Sequence, residues 1–100
     1  MNQDQYAIEA KVWLYKGPAS WHFVTLPKKQ ADILKKRYGL LARGWGSLPV
    51  TVTIGKTTWK TSIFPDTKSN SYLLPIKKEA RVAEKINVDD NVKFTIQVRL

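Results

Sequence analysis

Hydrophobic and polar residues alternate along most of the chain, which is the two-residue period of a half-buried β-strand. The alternation is clearest over residues 6–15, 48–54 and 92–98, and shorter β-prone runs cover 21–26, 57–64 and 72–76. Two stretches have helical spacing instead: one begins at Pro27 and ends near Gly39, and the other covers about 77–85. The pattern predicts a mainly β fold with two short helices in the order ββαβββαβ.

The two halves of the chain resemble each other. At an offset of 49 residues, 10–36 align with 59–85, and Lys28-Lys29 falls on Lys77-Lys78. The flanking strands align separately, 48–54 on 92–98. Two such halves, about 6–54 and 55–100, would close a small barrel about a pseudo-two-fold axis and so hide their edge strands. The shared β-period and the abundant lysine are the alternative explanation of this similarity.

Length and charge narrow the class of protein. One hundred residues with 43% hydrophobic content predict a single domain over 1–100, and the net charge of +9 favours anionic partners. The chain has no cysteine, which excludes disulfides and thiol catalysis and favours a reducing cytoplasm. Because no apolar run has the length of a signal peptide or membrane span, we expect a cytoplasmic protein without a membrane partner.

The spacing of reactive residues favours structural explanations over catalysis. His22 is the only histidine, and neither Ser20 nor any acid stands at a spacing that indicates a triad. Asp89-Asp90-Asn91 lacks the pattern of a calcium loop and suits a turn. Gly55-Lys56-Thr57 resembles the end of a phosphate-binding loop, but no glycine stands five residues earlier and a strand follows. We therefore expect no catalytic residue, metal or cofactor.

Two segments combine aromatic and polar side chains in a way that suits a ligand. Arg43-Gly44-Trp45-Gly46 sets an arginine and a tryptophan among glycines, which let a partner approach the backbone closely. The alternative is a bend with Trp45 packed inward. In the strand segment 59–62, the tryptophan and threonine share one face and the lysine and serine the other. Packing is the alternative explanation there as well.

Basic residues cluster at the start of the second predicted helix. Lys77, Lys78 and Arg81 would suit a phosphate if their side chains and the free helix amides converge, and a solvated face is the alternative. With the two segments above, this cluster completes the candidate ligand-binding residues. They are Arg43, Trp45, Trp59, Thr61, Ser62, Lys77, Lys78 and Arg81.

A longer set of motifs resembles the bacterial domain-of-unknown-function family numbered nineteen-oh-five. The motifs are Trp21-x-Phe23-Val24-x-Leu26-Pro27, Arg43-Gly44-Trp45-Gly46, Val52-x-Ile54-Gly55-x-x-x-Trp59-x-Thr61-Ser62-x-Phe64-Pro65 and Tyr72-x-Leu74-Pro75, with Lys77 and Arg81. The chain departs from the family at Asp89, where the family tends to have glycine. The resemblance implies a double-split β-barrel, similar to the swapped-hairpin transcription regulators and antitoxins, and it brings no established activity.

Three functions compete on this sequence. The first is a noncatalytic binding module for an anionic ligand, with nucleic acid as the leading example because aromatic residues stand beside basic ones. The second is a protein-interaction or accessory domain, in which exposed tryptophans anchor a partner protein and the charge only keeps the chain soluble. The third and least favoured is an enzyme of unknown reaction. The sequence does not predict an oligomeric state.

Overall fold

Six strands and two α-helices make up the part of the chain that the computed structural model describes, residues 5–42 and 44–99 without the Trp45 side chain. The elements are β1 (Gln5–Leu14), β2 (His22–Thr25), α1 (Lys28–Tyr38), β3 (Leu48–Ile54), β4 (Thr57–Asp66), β5 (Ser71–Pro75), α2 (Lys78–Glu84) and β6 (Asn91–Val98). Two 3₁₀ turns, Gly39–Leu41 and Gly44–Gly46, lie between α1 and β3, where the sequence predicts no element. The predicted mainly β class with two helices is confirmed.

The strands close into an antiparallel barrel in the order β1-β2-β5-β4-β3-β6. Alternate residues face the interior, so that every second residue of β3 is buried, beginning with Leu48. In the adjoining pair, Val52 of β3 lies opposite Ile96 of β6, and both are fully buried. The closed order of strands agrees with the small barrel that the sequence predicts.

Exchanging the two halves of the chain leaves the strand pairing unchanged. If β1, β2 and β3 are swapped with β4, β5 and β6, each neighbour in the barrel is again a neighbour. Leu26 N donates to Tyr72 O and Ile76 N donates to His22 O, both at 2.9 Å. Leu26 and Ile76 are 50 positions apart, as are His22 and Tyr72. Swapping residues at this spacing therefore converts each bond into the other. Around β2 and β5 the equivalence is therefore one residue larger than the offset of 49 that the sequence suggests.

Strands β1 and β4 each change partner part-way along. Residues 57–63 of β4 pair with β3, whereas only 64–66 pair with β5, which extends β4 beyond its predicted end at Phe64. Similarly, β1 pairs with β6 over 5–11 and with β2 over 12–14. Each strand thus has a segment without a strand partner on one side, among the described pairs. Arg37 and Tyr38 of α1 reach Tyr6 of β1, and Glu84 of α2 reaches Thr57 of β4.

Gly55 occupies the turn between β3 and β4 with φ +57, and a Cβ there would collide with the Glu84 carboxylate. We expect Gly55→Ala to lower the free energy of unfolding by about 1–3 kcal/mol, because a side chain strains left-handed backbone and Glu84 must move. Urea denaturation measures the change. Gly39→Ala is the control, since Gly39 has φ −57 and a Cβ would meet nothing closer than 3.9 Å. Equal losses in both variants would contradict the prediction.

Candidate functional site

A cavity of about 340 Å³ opens beside the segment of β4 that lacks a second strand partner. We call it the cationic pocket. It is lined by Ala19, Ser20, Trp21, His22, Trp59, Lys60, Thr61, Pro75, Ile76, Lys77 and Arg81. Three of these residues are cationic and none is acidic, so the described lining of the pocket is electropositive. The pocket thus joins β4 to the start of β2, the end of β5 and helix α2.

Arg81 is held in the pocket by two neutral acceptors. Its Nε donates to Ile76 O at 3.1 Å, and its Nη1 lies 3.3 Å from His22 Nε2. His22 Nδ1 lies 3.1 Å from Ser20 O, which can only accept, so Nδ1 carries the proton and Nε2 accepts from Arg81. Among the described residues no carboxylate takes part in this network, so the guanidinium is oriented there by neutral groups alone.

The loop before β2 presents the Ser20 carbonyl to His22. Ser20 has φ +49, a left-handed conformation that is uncommon for a residue other than glycine. Ser20 N donates to Gly17 O at 3.2 Å, and Tyr15 N donates to Trp21 O at 2.8 Å. These bonds hold the strained residue, as is common where a loop positions functional groups.

The cationic pocket brings together four of the eight predicted ligand-binding residues: Trp59, Thr61, Lys77 and Arg81. Trp59 is also buried in the barrel core, so it is both wall and packing residue. Ser62 is half-buried and Lys78 is exposed at the start of α2, and neither lines the pocket. Arg43 and the side chain of Trp45 lie outside the described residues.

Sequence reasoning missed four lining residues that carry polar or aromatic groups: Ser20, Trp21, His22 and Lys60. Local spacing gives His22 no functional partner, because Arg81 is distant along the chain and no spacing rule connects the two residues. The available signal was the family motif, which contains both Trp21 and Arg81. It gives no indication, however, that the two residues meet.

The residues 50 positions away from those of the cationic pocket form an equivalent site, which provides an internal comparison. At the equivalent positions, 50 residues away, Asn70 replaces Ser20, Tyr72 replaces His22 and Ala31 replaces Arg81. Asn70 has φ +54, close to the value at Ser20, so the backbone geometry is retained. These three residues line a cavity of only about 90 Å³. The backbone is therefore similar at the two sites, whereas the guanidinium and the imidazole occur at the site beside α2.

The hydrogen bond that Arg81 makes to the backbone also has a counterpart. Arg81 Nε donates to Ile76 O, and in the other half Ser71 Oγ donates to the equivalent Leu26 O at 2.6 Å. Tyr72 is buried there, and burial raises the pKa of its hydroxyl, which stays neutral. At the equivalent site a serine hydroxyl thus provides the hydrogen bond to the carbonyl without a cation. The need to pair the Ile76 carbonyl therefore does not by itself explain why an arginine stands at position 81.

Two other motifs have structural roles. Lys56 N and Thr57 Oγ donate to Glu84 Oε2 at 3.3 and 2.7 Å, so a protein carboxylate occupies the donors of the phosphate-loop-like segment. Asp90 Oδ2 accepts from Asn87 N at 2.8 Å and closes the turn before β6. The hairpin and turn interpretations of both segments are confirmed.

The fold and the site define a small closed β-barrel with a cationic pocket beside β4 and α2. The chain belongs to the family described as Domain of unknown function (DUF1905), whose profile matches residues 9–96. This match confirms the resemblance found in the sequence. A search of curated proteins finds no match. Among the described residues, none of the helices has the length and apolar character needed to cross a membrane.

Proposed function

We propose that this protein is a noncatalytic binding module that holds an anionic ligand in the cationic pocket. The observation that carries the proposal is the position of Arg81, which is oriented by His22 and the Ile76 carbonyl rather than neutralised by a carboxylate. A guanidinium has five N–H donors, and the two described bonds leave donors for a ligand. Its planar fork matches the oxygen pairs of phosphate and carboxylate groups.

Two lysines strengthen the pocket as an anion site. Lys60 enters from β4 and Lys77 precedes α2, so positive charge reaches the cavity from two sides. A ligand oxygen held by Arg81 would also be attracted by the charges of Lys60 and Lys77, and it would not have to displace a described protein carboxylate. Charge-assisted hydrogen bonds of this type are about twice as strong as neutral ones.

The geometry of His22 supports binding rather than catalysis. A triad-like nucleophile needs a histidine nitrogen directed at a hydroxyl. Both ring nitrogens of His22 are engaged, one with the Ser20 carbonyl and one with Arg81. We therefore place the enzyme hypothesis behind the binding hypothesis. The lack of cysteine supports a cytoplasmic location, which stays a prediction.

The same proposal includes the finer description of the fold as a double-split barrel built from two related halves. The changes of partner in β1 and β4 support it, since each opens a gap beside a helix. Helix α1 has 11 residues and α2 has 7, so the gap beside α2 has less helix to cover it. In this account, a duplicated fold has a ligand site in the gap beside the shorter helix.

A calorimetric titration of the whole chain with pyrophosphate tests the proposed function. We expect saturable binding whose affinity falls as salt rises, because salt screens the attraction between the pocket and the anion. A titration with a chloride salt at the same ionic strength is the control, and it measures the effect of nonspecific charge screening. Absence of saturable pyrophosphate binding at low salt would contradict the proposal.

A further inference from the structure

The outer surface of the barrel beside the cationic pocket has a cluster of exposed aromatic rings. We call it the aromatic patch, and its cavity of about 510 Å³ is lined by Trp13, Tyr15, Trp21, Phe23, Phe64, Asp66, Lys68 and Leu73. Tyr15, Trp21 and Phe64 are 51%, 50% and 43% exposed. Five of the eight lining residues are aromatic, so the patch presents flat rings rather than the branched aliphatic side chains of an ordinary hydrophobic core.

The rings of the patch are held in place by one another. Phe23 is central: the Trp21 ring lies 5.8 Å from it at 13°, Trp13 lies 5.3 Å away at 39°, and Tyr15 meets it edge-on at 6.4 Å. Trp13 Nε1 donates to Thr25 Oγ1 at 2.9 Å, which fixes the indole on the sheet. Rings restrained in this way lose little conformational freedom when another flat group stacks on them.

Trp21 connects the aromatic patch to the cationic pocket, since it lines both cavities. The next residue, His22, orients Arg81. A ligand that lies across Trp21 therefore meets flat apolar rings on one side and, on the other, three cations for which the described residues provide no carboxylate partner. A nucleotide unit has this composition, because its base is flat and aromatic and its phosphate is an anion.

We infer that the aromatic patch and the cationic pocket together bind an unpaired nucleic acid strand, with bases stacked on the patch and a phosphate held by Arg81. The inference rests on the proposed function. An unpaired strand is favoured over a duplex because only unpaired bases offer their flat faces to protein rings. It is favoured over a single nucleotide because three exposed rings exceed what one base can cover.

Asp66 places a carboxylate at one side of the aromatic patch. Its carboxylate accepts from Ser69 Oγ and Ser69 N at 2.7 and 3.1 Å, and the Ser69 hydroxyl is the main cause that lowers the pKa of Asp66. Asp66 is therefore ionised at neutral pH and repels a phosphate near its side of the patch. Because Asn can still accept the Ser69 bonds, we expect Asp66→Asn to tighten strand binding by about 2- to 5-fold, as for one exposed charge.

Fluorescence anisotropy with labelled oligothymidylate tests the inference, with a duplex of equal length, inorganic polyphosphate and thymidine monophosphate as competitors. We expect the single strand to bind more tightly than all three. Trp21→Ala should weaken strand binding by about 5- to 100-fold, the loss of one stacked base. Phe64→Ala removes a ring that lines the aromatic patch but not the cationic pocket, so it should weaken strand binding and leave pyrophosphate binding unchanged. Trp21→Phe keeps a ring and should retain most of the affinity. Leu40→Ala removes a fully exposed apolar side chain elsewhere and should change nothing.

The outcomes separate this inference from the proposed function. If Trp21→Ala leaves strand affinity unchanged, or if polyphosphate or the duplex competes as well as the single strand, the inference is overturned. Equal affinity for thymidine monophosphate overturns it in favour of a nucleotide site. In each of these cases retained pyrophosphate binding would leave the proposed function standing. In all of them except equal affinity for thymidine monophosphate, the aromatic patch would be assigned to contact with a protein. Loss of pyrophosphate binding as well would remove both proposals.

Discussion

Replacing Arg81 by glutamine is expected to weaken pyrophosphate binding by about 10- to 100-fold, the loss of one or more charge-assisted hydrogen bonds. The guanidinium is the one cation that two described protein groups orient in the cationic pocket. Glutamine keeps an amide donor but loses the charge and the planar fork. Isothermal titration calorimetry on the wild-type chain and the variant measures the ratio of dissociation constants.

Lys78→Gln is the matched control for this prediction. It removes the same charge from the same helix, three residues earlier, at an exposed position that does not line the pocket. We expect a loss of no more than about 3-fold, as for an exposed charge. Equal losses in the two variants would mean that net charge alone, and not the oriented guanidinium, attracts the anion. Thermal unfolding of both proteins checks that each remains folded.

The largest effect on stability is expected from the barrel core. Ile96 is fully buried, lies opposite Val52 in the pairing of β3 with β6 and faces Tyr6 in the pairing of β6 with β1. Ile96→Ala removes buried carbon atoms and leaves a cavity, so we expect the free energy of unfolding to fall by about 2–5 kcal/mol. A domain of this size has a total free energy of unfolding of about 5–15 kcal/mol, so this single substitution is expected to remove a large share of it.

Gln97→Ala is the control that separates the loss of a buried side chain from the effect of any substitution in β6. Gln97 is the next residue of β6 and is exposed on the outer surface. We expect its replacement to change the free energy of unfolding by less than about 0.5 kcal/mol. Urea denaturation of the two variants gives the comparison. A small loss at Ile96 would contradict the description of a barrel packed tightly around the contact between β3 and β6.

Most of the fold could be predicted from the sequence because it depends on local periodicity. The alternation over 48–54 and 92–98 reflects strands whose inner residues are all buried, and a two-residue period has no other simple cause. The predicted end of β4 at Phe64 is two residues too early, because Pro65 interrupts the pattern of strand-forming residues. Pairing of Pro65 with Tyr72 on β5 extends that strand, and pairing is a tertiary event that local pattern does not show.

The candidate site could be predicted only in part, because its residues meet through the barrel and not along the chain. Lys77 and Arg81 were found as a local cluster, and Trp59 and Thr61 as a local strand pattern. The contact of Arg81 with His22 depends on which strand neighbours which, and it joins the two halves of the chain. The same limit hid the aromatic patch, whose rings come from β1, β2, β4 and the segment that joins β1 to β2.

The offset of the repeat shows how tertiary geometry refines a sequence comparison. Sequence identity favours 49 residues because lysines and alanines of the two helix starts then coincide. The reciprocal bonds of Leu26 and Ile76 relate positions 50 apart around β2 and β5. At this spacing, Arg81 is opposed by Ala31 and His22 by Tyr72. The difference in side chains between the two equivalent sites becomes visible only with that one-residue correction.

An NMR titration of the isotope-labelled chain with pyrophosphate tests the central claim most directly, because both halves of the barrel are observed in one sample. The account predicts the largest shifts at the His22 ring, the Lys77 amide and the Arg81 guanidinium. The equivalent positions Tyr72 and Ala31 should stay nearly unchanged. Equal shifts in both halves, or shifts scattered over the lysines of α1, would contradict a specific anion site in the cationic pocket.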